Sequence, residues 1–313
     1  MRSTSFFFIL FFPVLTLSAI YGTDDRREVV NVPAAERLSS GIAMMISPVF
    51  MKVEADSTIT LDYPALSSDS SYNVCPSEKF AGQPASVLTC TGFLISPTLL
   101  VTAGHCMVNV GEAVDVQNPQ CRDFKWLFDF KADRTGRIQT NRISQNRIVG
   151  CKRVVYAVHE GDFDRTTKRT EPIRDFAIIE LDSPQLGRAN LTLARAFVSK
   201  PGELVSSIGY PLGLALKYMG QGQVIESVHP EYARTTIDTL AGNSGSPVLN
   251  SANEVVGIMV RAFPDADFYD APGSTCSKMN VCSADLKSCR ENEIGYAVGS
   301  QIQNIVSVRD KLN

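Results

Sequence analysis

Asp238 to Val248 reads DTLAGNSGSPV, and how this stretch is understood decides the fold. Ser244 and Ser246 stand two positions apart, with Gly242 and Gly245 set around the first of them and Pro247 closing the run. Glycine supplies backbone conformations closed to other residues, so the pattern describes a loop built to hold one hydroxyl in a fixed place. A serine nucleophile also needs a base within hydrogen-bond reach and a third group that orients the base. The rest of the chain is therefore searched for a histidine and a carboxylate.

Three histidines are present. His159 and His229 stand in polar, loop-like surroundings and read as surface residues. His105 ends the strand-like run LLVTAGHC, with Cys106 beside it. Cys90 precedes the neighbouring strand-like run TGFLIS, so a Cys90–Cys106 bridge is expected to pin the turn that carries His105. Asp175 heads the apolar strand of PIRDFAIIEL. Taken alone, it reads equally well as a strand cap facing water.

Together the three fall in the order His105, Asp175, Ser244. An α/β-hydrolase runs Ser, acid, His and needs G-x-S-x-G, whose fifth position is here Ser246. The blocks TAGHC, DFAIIEL and GNSGSP resemble the three catalytic blocks of trypsin-like serine proteases. Within that class the chain is similar to the secreted bacterial glutamyl endopeptidases, through GYP at Gly209 to Pro211 and GNSGSPV at Gly242 to Val248. The likeness runs from about Arg26 to the C-terminus and leaves out two long stretches.

The resemblance implies that Ser244 is the nucleophile, His105 the general base and Asp175 the residue that orients it. The N–H groups of Gly242 and Ser244 form the oxyanion hole, and Ser246 is structural. No metal and no organic cofactor is expected. The implied fold is all-β: two perpendicular six-stranded antiparallel barrels, about 40–190 and about 200–300, with a C-terminal helix over about 300–312. Asn243 stands where trypsin has an aspartate that pairs with a new N-terminus, so the chain is expected not to use that switch.

The resemblance also marks four substrate-binding candidates. Thr239 occupies the position of a threonine that recognises a substrate carboxylate in the glutamyl enzymes. The histidine that works with it is replaced here by Met259, which has neither charge nor a strong donor. Strict glutamate preference is therefore expected to be lost unless Arg261 turns inward. Asp238 stands where trypsin selects Lys and Arg, so a basic P1 residue is a second expectation.

Composition agrees with a globular enzyme: 313 residues, 44% apolar, 20% charged and a formal charge of -3. This balance argues against nucleic acid as a partner. Residues 1–22 read as a signal peptide, with one Arg ahead of the apolar run from Phe6 to about Ile20 and small residues after it. Cleavage after Ala19 or Gly22 fits the small residues there, an uncleaved anchor is the alternative, and the mature chain is expected to start near Thr23. Export to periplasm or medium, no membrane association after cleavage, a monomeric state and a protein or peptide substrate are expected.

Eight cysteines follow that leader, and in an exported chain they read as disulfides. Cys121 with Cys151 is the second pair expected. Cys75 is left to reach one of Cys276, Cys282 or Cys289. The strand-like runs include RVVYAV, LVSSIGY, GQVIES, SPVLN, EVVGIMV and IGYAVG, separated by Gly, Pro, Asn or Asp. Val53 to Thr89 and Ala262 to Glu293 read as irregular surface loops. The competing function is a silent homologue that uses the scaffold for binding, against which stands the presence of all three triad residues.

Overall fold

Strands that are apolar on one face leave unpaired backbone groups at the sheet edges, and closing the sheet into a barrel removes those edges. This chain closes twice. The computed structural model describes residues 20–312 apart from 71, 87–88, 110–117, 161–162, 165–168, 171–173, 199, 228, 264–266, 271 and 287–298. The chain enters through two short strands, β1 (Ile20–Tyr21) and β2 (Arg27–Glu28). The first barrel consists of β3 (Ile42–Ile46), β4 (Thr91–Leu94), β5 (Leu99–Thr102), β6 (Lys125–Phe128), β7 (Ile148–His159) and β8 (Asp175–Leu181). They close in the order β8-β5-β4-β3-β6-β7.

The second barrel consists of β9 (Leu204–Gly209), β10 (Lys217–Glu226), β11 (Tyr232–Thr235), β12 (Pro247–Leu249), β13 (Val255–Phe263) and, beyond β14 (Val281–Cys282), β15 (Gly299–Asn304). Their order is β9-β12-β13-β15-β11-β10, with β10 pairing back onto β9 and β2 added to β10. One hydrophobic cluster runs through both barrels, from Val29 to Val308. Tyr210, fully buried, donates its hydroxyl to Ile42 O across the junction at 3.3 Å. Among the described residues no helix is long and apolar enough to cross a membrane.

Several expectations are corrected. The C-terminal segment is not a helix over about 300–312: Gly299–Asn304 is the last barrel strand, and the helix is only Ile305–Arg309, capped by the Asn304 side chain accepting from Val306 N–H. Residues 20–22 pack against the folded body. Ile20 is fully buried, and β1 pairs in parallel with β14. Of the two cleavage positions read from the sequence, the one after Ala19 keeps Ile20 and the one after Gly22 removes it.

Nor is Val53 to Thr89 merely a surface loop. Leu66, Val74, Ala81 and Ala85 form a second core with Ile20, Leu212, Leu214, Leu240 and Met279. Fully buried Lys217 donates to Gln83 Oε1 at 2.8 Å and to Glu28 Oε2 at 3.1 Å, which ties the stretch to β2 and β10. The strands β3, β6 and β11 were not anticipated. In β3, all five residues of IAMMI are buried, so the alternation that marks a half-exposed strand is missing. IGYAVG lies outside the described residues except for Gly299.

Three disulfides join Cys75 to Cys276, Cys90 to Cys106 and Cys121 to Cys151. Cys282 is disulfide-bonded as well, and Cys289 lies outside the described residues.

Candidate active site

Two strands bring His105 and Asp175 together. The turn between β4 and β5 is held by Ser96 Oγ accepting from Leu99 N–H at 3.0 Å. β5 then ends in a single 3-10 turn, Gly104–Cys106, that carries His105. The Cys90–Cys106 bridge ties this turn to the residue before β4. β8 pairs with β5 and begins at Asp175, which is 1% exposed. The His105 backbone N–H donates to Asp175 Oδ1 at 2.9 Å, and His105 Nδ1 meets Oδ2 at 2.9 Å. A carboxylate accepting at Nδ1 keeps the proton there and leaves Nε2 as the ring's acceptor. Asp175 N–H donates to Gln303 Oε1 on β15 at 2.8 Å, so the second barrel steadies the same residue.

The serine loop is stitched between the barrels. Gly242 and Gly245 both have φ of +89°. A Cβ at Gly242 would run into Tyr210 O, and one at Gly245 into Thr91 O and Thr102 Oγ1, so neither place admits another residue. Thr91 N–H donates to Ser244 O at 2.8 Å, and Thr91 Oγ1 donates to Gly242 O at 2.8 Å. On the far side Gly245 N–H donates to Met259 O at 2.8 Å. Cys106 Sγ lies 3.9 Å from Ser244 O, which brings the residue after His105 against the serine.

Ser244 is 8% exposed. Among the described residues its hydroxyl makes no hydrogen bond to His105, and the N–H groups of Gly242 and Ser244 have no acceptor. Asn243 is fully buried with both side-chain polar atoms unpaired, as is Ser246 Oγ. Among the described residues the N-terminal segment comes to Asp238.

Around Asp175 the electrostatics are cationic. Burial by itself would raise its pKa, but the charges of His105, Arg261 and His159 and the His105 hydrogen bond outweigh burial and hold the carboxyl well below the usual range. Arg261 Nη2 stands 3.7 Å from Asp175 Oδ2. His159, read from sequence as a surface residue, sits with its ring 5.7 Å from that of His105, because the β7–β8 register places it opposite Asp175. Burial lowers its pKa. Nothing local in the sequence announces this pairing.

Of the four substrate-binding candidates, two meet. Thr239 Oγ1 lies 3.2 Å from Ile237 O and 3.2 Å from Met259 Sδ, which puts a thioether beside the threonine. Arg261 does not turn toward them but toward Asp175. Asp238 faces the N-terminal segment. It is 3% exposed, and its carboxylate accepts from Tyr21 N–H at 2.9 Å and Asp25 N–H at 3.3 Å. Both oxygens are turned to the N-terminal segment. Cys90 and Cys106 sulfurs and the His105 ring lie within 4.8 Å of one another, but sulfurs joined in a disulfide are not thiolate ligands.

A family model described as the trypsin-like peptidase domain matches residues 90–258. The protein named "Putative serine protease HhoA" of Synechocystis sp. is 26% identical over 148 residues, 44% of this chain and 37% of that protein. The chain thus spans little more than a third of that relative. A solved structure of Glu endopeptidase in complex with MPD shares 19% identity, covering 79% of this chain and 89% of that one at a TM-score of 0.45. The active form of a protease from M. tuberculosis shares 15%, covering 95% and 88% at 0.45.

Proposed function

Because the chain belongs to the trypsin-like peptidase domain family, we propose that it is a secreted serine endopeptidase working through His105, Asp175 and Ser244. The observation that carries this is the pair of 2.9 Å contacts from His105 to the buried Asp175, with the Ser244 loop clamped by Thr91 against the same strands. Ser244 Oγ attacks the carbonyl carbon of the peptide bond while His105 Nε2 takes its proton. The oxyanion forms against the N–H groups of Gly242 and Ser244. Collapse expels the amine, which takes the proton back from His105, and water then releases the acyl group by the same steps. Hydroxyl–imidazole contacts of this type commonly tighten only when substrate is bound.

Export is supported by the disulfides. Loss of strict glutamate preference is supported by Met259, whose uncharged thioether lies 3.2 Å from Thr239 Oγ1 and offers a substrate carboxylate no cation. Peptides differing only in Glu, Arg, Phe or Leu at P1 test this, and dominant cleavage after Glu would overturn it. The reaction itself is tested by fluorophosphonate labelling. Label that is lost in Ser244→Ala supports the peptidase, whereas a folded wild type that never labels removes it.

A further inference from the structure

Asp175 has a cationic neighbour that acyl transfer does not call for. Arg261 projects from β13 and its side chain is 9% exposed. Its Nη1 is buried without a hydrogen-bond partner, and its Nη2 lies 3.7 Å from Asp175 Oδ2, the oxygen already facing His105 Nδ1. An arginine placed to stabilise the fold takes the two-pronged carboxylate geometry at about 2.7–2.9 Å. This one instead stands loosely beside a carboxylate whose oxygens are both engaged by His105.

The position has an electrostatic consequence. An imidazolium at His105 is stabilised by Asp175 and opposed by any second cation at similar range. The groups that face this centre are Asp175 from β8, His159 from β7, Arg261 from β13 and the uncharged Gln303 from β15. Glu160, next to His159, is occupied at the surface by Arg174 Nε at 2.8 Å. Burial keeps His159 toward its neutral form. Arg261 is therefore the permanent charge that offsets Asp175.

Resting on the triad reading, we infer that Arg261 is a positioning residue that weakens Asp175 as the counter-ion of His105 and so keeps the imidazole neutral, and the enzyme active, to lower pH. The test compares Arg261→Met, Arg261→Gln and Arg261→Lys. One readout is the acid limb of kcat/KM on an uncharged peptide. The other is the pH at which the His105 ring protonates, followed by nitrogen NMR in a Ser244→Ala background. The second needs no turnover, so a protein that fails as a peptidase is told apart from a failed inference.

Arg261→Met should move both midpoints up by about half to one pH unit, the size expected for a unit charge several ångströms away, and Arg261→Lys should restore the wild-type position. Should the methionine variant not fold, Arg261→Gln, which keeps donors and loses the charge, carries the same expectation. A midpoint that stays put or falls in the neutral variants overturns the inference. So does a lysine variant that shifts as far as they do.

Discussion

Asp175 and Asp238 are both aspartates almost out of contact with solvent, and their surroundings drive them in opposite directions. Asp175 is surrounded by His105, Arg261 and His159, and its pKa is held well below the usual range despite burial. Asp238 accepts two backbone N–H groups, but burial and the nearby Asp25 and Asp24 push it up to about 8. Burial is common to the two sites, so the sign of the neighbouring charge decides the outcome. Asp175 is thereby kept as an anion that can orient a base. Asp238 serves the structure, holding the N-terminal segment to the second barrel.

The largest expected effect separates them by rate. Asp175→Asn should lower kcat by about 10⁴-fold, the scale known for this change in a serine protease triad, with the fold retained. Asp238→Asn should leave the order of P1 preferences as it is. A loss of cleavage after Arg in that variant alone would restore Asp238 to the substrate pocket.

Next is the long-range tether of the Asp238 region. Cys75 and Cys276 are 201 residues apart in sequence and link the Val53 to Thr89 stretch to the chain beyond β13. Replacing both by Ser should cost about 2–5 kcal/mol, read as a lowered Tm or denaturation midpoint. An unchanged midpoint would mean that the second core holds without the bridge.

A smaller loss follows from Ile20→Ala, about 2 kcal/mol, since a fully buried isoleucine is truncated in a two-residue strand that can partly relax. The companion measurement is the N-terminus of the purified protein. It should lie at or before Ile20, and a mature chain starting at Thr23 would contradict the burial of β1.

The smallest effect is a change of slope with pH. The folded pKa of Asp238 is raised from 3.8, so its contribution to stability is complete below about pH 4 and is lost as pH rises toward about 8. Asp238→Asn removes that loss and should flatten Tm against pH across this window. Asp175 has the opposite sign: its contribution is present above about pH 4 and is lost only on strong acidification. An equally steep wild-type and Asp238→Asn profile would remove Asp238 as the cause.

What the sequence determined alone was local. His105 at a strand end, Asp175 at a strand start and Ser244 between two glycines each lie in a block of about ten residues, where turn chemistry and alternation can be read directly. The all-β class followed from the same short-range signals. Only the tertiary structure decided who stands beside whom. His159 meets His105 through strand register, Arg261 reaches Asp175 from the other barrel, and Tyr21 meets Asp238 across 217 residues of sequence. The buried IAMMI strand and the core under Val53 to Thr89 went unseen for the same reason. A barrel closes by pairing strands far apart in sequence, and a one-residue change of register turns every side chain to the other face. A neighbour's charge, and with it the role of a buried carboxylate, exists only once that pairing is made.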